Sequence, residues 1–188
     1  AHGTSVTVNR KTISTVPSQS GSLTYNGGSQ SPTWNNYNTA QLTIGGTTTG
    51  TNAGSYTATF TPKSNYRWSD GSTTPKSVSW SIGKAAGSLS ISPTSMTLDT
   101  TTKSKTITVT RSGDGAISAS SNNTGAATVS VSGNTVTVTG KANGSATITI
   151  SVAAGTNYTA PANKTCAVTV SFLKDNFADN DWASIIAA

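Results

Sequence analysis

Glutamate is absent from the 188-residue chain, and histidine and cysteine occur once each, as His2 and Cys166. Hydrolysis by a glutamate pair is therefore excluded. A zinc site needs clustered Cys and His, and a disulfide scaffold needs paired cysteines; neither can be built here. Ser-His-Asp catalysis would rest on His2 alone, close to the N-terminus. The six acidic residues are all Asp, and the spacing of Asp70, Asp99 and Asp114 gives no reason to expect a pair sharing a proton. Only 10% of the residues are charged, and no apolar run is long enough to cross a membrane. The Leu, Glu and Lys spacing of a helical bundle is missing. These absences point away from an enzyme and imply no metal and no cofactor.

What is present is Ser and Thr, roughly a third of the chain, with 18 glycines. Strands announce themselves by alternation. Tyr56, Ala58 and Phe60 alternate with Ser and Thr, as do Val78, Trp80 and Ile82. Ile148, Ile150 and Val152 form a third run, and Cys166, Val168, Val170 and Phe172 a fourth. A period of two turns one set toward a core and the other toward water. Threonine suits the exposed set because its β-branch favours strand. Asn26-Gly27-Gly28, Gly45-Gly46, Asp70-Gly71 and Asn143-Gly144 punctuate these runs with turns. Val129–Val131 and Val136–Val138 around Ser132-Gly133-Asn134-Thr135 read as a tight hairpin. The spacing predicts all-β sandwiches.

The chain also repeats. Gly54-Ser55-Tyr56-Thr57-Ala58-Thr59 returns as Gly144-Ser145-Ala146-Thr147-Ile148-Thr149. Asn65-Tyr66 returns as Asn157-Tyr158, and Val78 returns as Val168 at the same offset of 90 as the first pair. Shared features in one order indicate two copies of a module. We expect modules at 1–84 and 85–172, divided at Gly83-Lys84-Ala85-Ala86-Gly87, with residues 1–9 as the end of a preceding module. So short a linker predicts modules that lie end to end. Residues 173–188 differ. Phe177, Trp182, Ile185 and Ile186 suit a short amphipathic helix, either a tail that packs on the second module or the truncated start of a further domain. The chain reads as a piece of something longer.

The net charge of +6 is spread thinly, and Arg10-Lys11 is the only adjacent basic pair. Nucleic-acid binders concentrate charge on one face, so no nucleic-acid partner is expected. Asp70-Gly71 and Asp114-Gly115 read as β-turns, because calcium needs several oxygen ligands in one loop. Cys166 reads as a buried, inert thiol on an alternating face. Tyr158 repeats Tyr66, which favours a structural task such as a corner tyrosine bonded to backbone. Trp34, Tyr37, Tyr66 and Trp68 are the ligand candidates. They lie in turn-rich segments, where an exposed ring can stack on a sugar face beside the amides of Asn35, Asn36 and Asn65. The competing reading closes the end of a small sandwich with the same rings. Exposure and coplanarity near Trp34 and Trp68 separate the two.

Leu89-Ser90-Ile91 onward to Phe172, with Ala127–Val131, Val136–Gly140 and Asn143–Thr149, resembles the bacterial Ig-like group 2 (BIG2) domain. The stretch Thr100–Lys103 and the insertion around Asn157–Lys164 depart from that pattern. The first module, through Thr24–Gly27, Thr51–Tyr56 and Asn65–Gly71, looks like a related Ig-like repeat. The resemblance implies tandem β-sandwiches of a bacterial surface protein or phage tail protein, serving as spacer or adhesion modules. It implies cell-surface glycans, host surface proteins or neighbouring domains as partners, and brings no active site to carry over.

Overall fold

The structure, a computed structural model, describes residues 9–172. The expected end of a preceding module and the expected tail helix fall largely or wholly outside these residues. The described chain is all-β, with sixteen strands and no helix. It divides into two compact units. The first takes in residues up to Ala86 together with Thr156–Thr159; the second takes in Gly87–Gly155 and resumes at Ala160. The segment Thr156–Thr159 belongs to the first unit through its hydrogen bonds. Ala85 N–H donates to Asn157 O (2.9 Å), Thr159 N–H to Ala85 O (2.9 Å), and Ala53 N–H to Asn157 Oδ1 (2.8 Å).

The first unit holds β1 (Lys11–Ile13), β2 (Ser18–Ser20), β3 (Leu23–Thr24), β4 (Thr33–Asn35), β5 (Leu42–Gly46), β6 (Gly54–Pro62), β7 (Tyr66–Trp68) and β8 (Lys76–Gly83). Its main sheet runs β3-β8-β6-β5, with two-stranded pairs β1-β7 and β2-β4 beside it. The alternation read from sequence is the one that folds. Ala58 and Phe60 of β6 and Trp80 and Ile82 of the neighbouring β8 turn to the same core, all at most 2% exposed. Ile13, Leu42 and Trp68 complete the buried set, and half-buried Trp34, Tyr37, Tyr56 and Tyr66 pack against it. So small a core depends on its aromatic rings, each of which removes far more surface from water than an aliphatic side chain.

The second unit holds β9 (Ser88–Ser92), β10 (Ser95–Asp99), β11 (Ser104–Ser112), β12 (Ile117–Ser121), β13 (Ala127–Ser132), β14 (Thr135–Gly140), β15 (Gly144–Val152) and β16 (Lys164–Ser171). Two four-stranded sheets, β13-β14-β11-β9 and β10-β16-β15-β12, enclose one core. This is Ig topology. The opening strand is split at Pro93, so that β9 pairs antiparallel with β11 in one sheet and β10 pairs parallel with β16 in the other. Leu98, Ile107, Val136, Val138, Ile148, Ile150 and Cys166 are fully buried. The hairpin β13–β14 closes with Ser132 opposite Thr135, leaving the two-residue loop Gly133-Asn134. Gly133 takes φ 55°, which glycine reaches without a Cβ clash.

Strand pairing also corrects the repeat alignment. Gly54 opens β6 opposite Ile82, and Gly144 opens β15 opposite Val170. Trp80 therefore corresponds to Val168 and Val78 to Cys166, two residues off the offset suggested by Val78 and Val168. A run of alternating valines carries no marker of absolute register, so a slip of two leaves its face unchanged.

Candidate functional site

The four candidate aromatics do not form one surface. Trp68 is 1% exposed, and its Nε1 donates to Thr74 O (2.9 Å). Its ring therefore has no face to offer a sugar, which corrects the expectation that placed it in a binding plate. Tyr66, two residues earlier on β7, is half-buried against the same core. Trp34 and Tyr37 both set their rings on Phe60, at centroid distances of 4.9 and 5.3 Å and angles of 82° and 63°. Edge-to-face packing of this kind fixes both rings and leaves them non-coplanar with Phe60. Sequence placed these residues in turns, but Trp34 lies in β4, and Tyr66 and Trp68 in β7. Strands of three residues are too short to show a period.

Other aromatics pair with one another within the first unit. Tyr56 stacks on Trp80 at 4.5 Å and 23°, and its hydroxyl donates to Asn52 O at 2.6 Å. Tyr158 sets its edge against Tyr25 at 5.4 Å and 76°. The hydroxyl-to-backbone bond expected of Tyr158 is thus made by Tyr56 in this fold.

Around Tyr37 the chain forms an open depression of about 360 Å³. One wall is the end of β1 and the residues after it, Thr12–Thr15. The other is the turn from Asn36 to Gln41. Two core residues hold the walls, Ile13 at 6% exposure and Leu42 at 1%. The turn is hydrogen-bonded to itself. Gln41 N–H and Leu42 N–H both donate to Asn38 O (3.0 and 2.9 Å), and Ala40 N–H donates to Asn38 Oδ1 (2.8 Å). Asn36 is the one described non-glycine residue with positive φ, at 58°. Asparagine tolerates this region better than most residues, but the conformation still carries strain. Asn36 and Tyr37 stood among or beside the sequence candidates. Ser14, Thr15 and Gln41 did not, because the β1 wall is brought in by long-range pairing with β7 that no local pattern announces.

Asp70 and Asp99 are each committed to their own turn. Asp70 Oδ1 accepts from Ser72 N–H (2.8 Å), and Oδ2 meets Lys76 Nζ at 2.7 Å. Lys76 also sits 5.3 Å from the centroid of the Trp68 ring. The hydrogen bond from Lys76, then those from Ser72, hold the Asp70 carboxyl well below the usual carboxylate range. Asp99 Oδ1 accepts from Thr101 and Thr102 N–H (3.0 and 2.6 Å), which lowers its pKa as well, Thr102 contributing most. Both are carboxylates held ionised, the reverse of what a general acid at neutral pH requires. Because the folded pKa is depressed, the Asp70 contribution to stability is present above its unfolded value near 3.9. It is lost as pH falls through the lower folded value. Lys76→Met is expected to move the Asp70 carboxyl titration, followed by carbon-13 NMR, partway back toward the ordinary value. An unmoved titration would show that Ser72 alone holds it.

Among the described residues, no three His, Cys, Asp or Glu side chains converge as metal ligands. Cys166 is fully buried, and burial raises its thiol pKa.

No family model matches the chain, and no curated protein matches it. Solved structures do. Domains 4 and 5 of the S-layer protein SbsC are 23% identical over 74% of this chain and 82% of that one, with a TM-score of 0.38. A longer SbsC piece, domains 4–9, is 21% identical over 65% of this chain, with a TM-score of 0.39; the match spans 19% of its length. Extracellular cadherin domains 3–6 of protocadherin gamma B2 are 14% identical over 83% of this chain and 47% of that one, with a TM-score of 0.34. Likeness at this level adds no argument to the strand topology.

Proposed function

We propose that this chain is a non-catalytic pair of Ig-like modules from an extracellular surface, of a bacterial cell or a phage virion. In this reading it attaches to that surface or presents a neighbouring domain, and its second module is BIG2-like. The observation that carries the reading is the use made of the acids. The Asp70 and Asp99 carboxylates cap their own turns and are held ionised there. What the strands turn outward is chiefly Ser and Thr, as in Ser77, Ser79 and Ser81 of β8 or Thr165, Thr169 and Ser171 of β16. Such faces keep a protein with few charges in solution without committing it to chemistry.

The test is immunogold labelling of intact cells and purified virions of the source, using antibody raised against this chain. Label on the outer surface is expected. Label found only after the cells are opened would overturn the reading.

A further inference from the structure

We propose that the depression beside Tyr37 in the first unit is a binding site for a neutral saccharide. The inference stands apart from where the protein resides. The site has the two halves that sugar recognition needs. Tyr37 lines the depression with its ring fixed by Phe60, an aromatic side chain against which C–H groups can pack. Hydroxyls and amides supply the rest. Ser14, Thr15, Asn36 and Gln41 line the space, and their side chains make no hydrogen bond within the described protein. An amide donates and accepts at once, which matches a sugar hydroxyl that does the same.

Charge narrows the ligand class. No Lys, Arg or Asp lines the depression, so an anionic sugar or a phosphate would lose its hydration without a compensating partner. A volume of about 360 Å³ is at the lower end of ligand-site sizes, enough for a single ring with its neighbour outside. The walls are preformed. Ile13 and Leu42 root them in the core, and the Asn38 bonds fix the turn. Asn36, directly after β4, is held in a left-handed conformation at the edge of the depression. Strain at a pocket lip is a feature that binding sites retain.

The experiment is a backbone-amide NMR titration of the whole chain. The probes are methyl glycosides of glucose, galactose, mannose, N-acetylglucosamine and N-acetylgalactosamine, with sialyllactose as the charged comparison. At least one neutral glycoside is expected to saturate at millimolar concentration, with shifts confined to residues 12–15 and 36–41. Asn36→Gly keeps the left-handed backbone and removes the amide. Gln41→Ala removes the second amide and leaves its backbone carbonyl in place. Each is expected to weaken binding about tenfold, the worth of one hydrogen bond, while the remaining resonances stay where they are. The proposal is overturned if no neutral glycoside shifts these residues, if shifts centre elsewhere, if sialyllactose alone binds, or if both folded variants bind as the parent does.

Discussion

Trp80→Ala is expected to cost the first unit about 3–5 kcal/mol, close to its whole stability. Trp80 is 2% exposed, stacks on Tyr56, and donates from Nε1 to Thr47 O at 2.7 Å. Removing the indole opens a cavity on the core face of the sheet and strips the Tyr56 ring of its partner. The buried set of this unit is short: Ile13, Leu42, Ala58, Phe60, Trp68, Trp80 and Ile82. Few neighbours can move in to fill the space, so relaxation recovers little. For a unit of this size the melting temperature should fall by more than about 15 °C. Tryptophan fluorescence reports it directly. Trp34, Trp68 and Trp80 all lie in the first unit, and no described residue of the second is a tryptophan. Trp34→Ala, which removes a half-buried ring from Phe60, should cost less. An unchanged transition in Trp80→Ala would mean that the core is organised around some other residue.

That core was only partly legible in the sequence. Trp80 declared itself, because β8 is eight residues long and its alternation with Ser is unbroken. Trp68 did not. It obeys the same period with Tyr66, but β7 is three residues long, and two points do not make a pattern. The candidate site divides in the same way. Tyr37 and Asn36 were visible as an aromatic among amides in a turn-rich stretch. The Thr12–Thr15 wall was not, since β1 owes its place to parallel pairing with β7, Ile13 opposite Trp68. The second unit was easier to read. Its strands β15 and β16 each run eight or nine residues with one face apolar along nearly its whole length, and the Gly133-Asn134 loop fixes the register of the hairpin beside them. What its alternation could not convey was absolute register, hence the two-residue slip in aligning Val78 with its counterpart. The segment Thr156–Thr159 was equally hidden, because backbone hydrogen bonds to Ala85 leave no trace in side-chain pattern.

Cys166 gives the second unit its own reporter, and its alkylation in the native state is expected to be at least about 10³-fold slower than in denaturant. The thiol is fully buried on β16 opposite Ile148 of β15, in the centre of the sheet. Burial raises its pKa, so the reactive thiolate is disfavoured even before access is considered. Iodoacetamide can then reach Sγ only from an opened state, and the labelling rate measures how often that state forms. Ile148→Ala tests the link. Ile148 is 0% exposed, and its loss should cost about 2–5 kcal/mol and speed labelling by about 30-fold or more. The pH dependence has a definite sign. Because the folded pKa is raised, the stabilisation from the neutral thiol is fully present below the unfolded value near 8.5. It is lost as pH rises toward the folded value, so opening becomes easier in alkali beyond the ordinary gain in thiolate. Cys166→Ala should remove that alkaline component from the unfolding curve while leaving the fold intact. Rapid labelling in native buffer at neutral pH would contradict the buried position itself, and with it the pairing of β15 with β16 on which the second core depends.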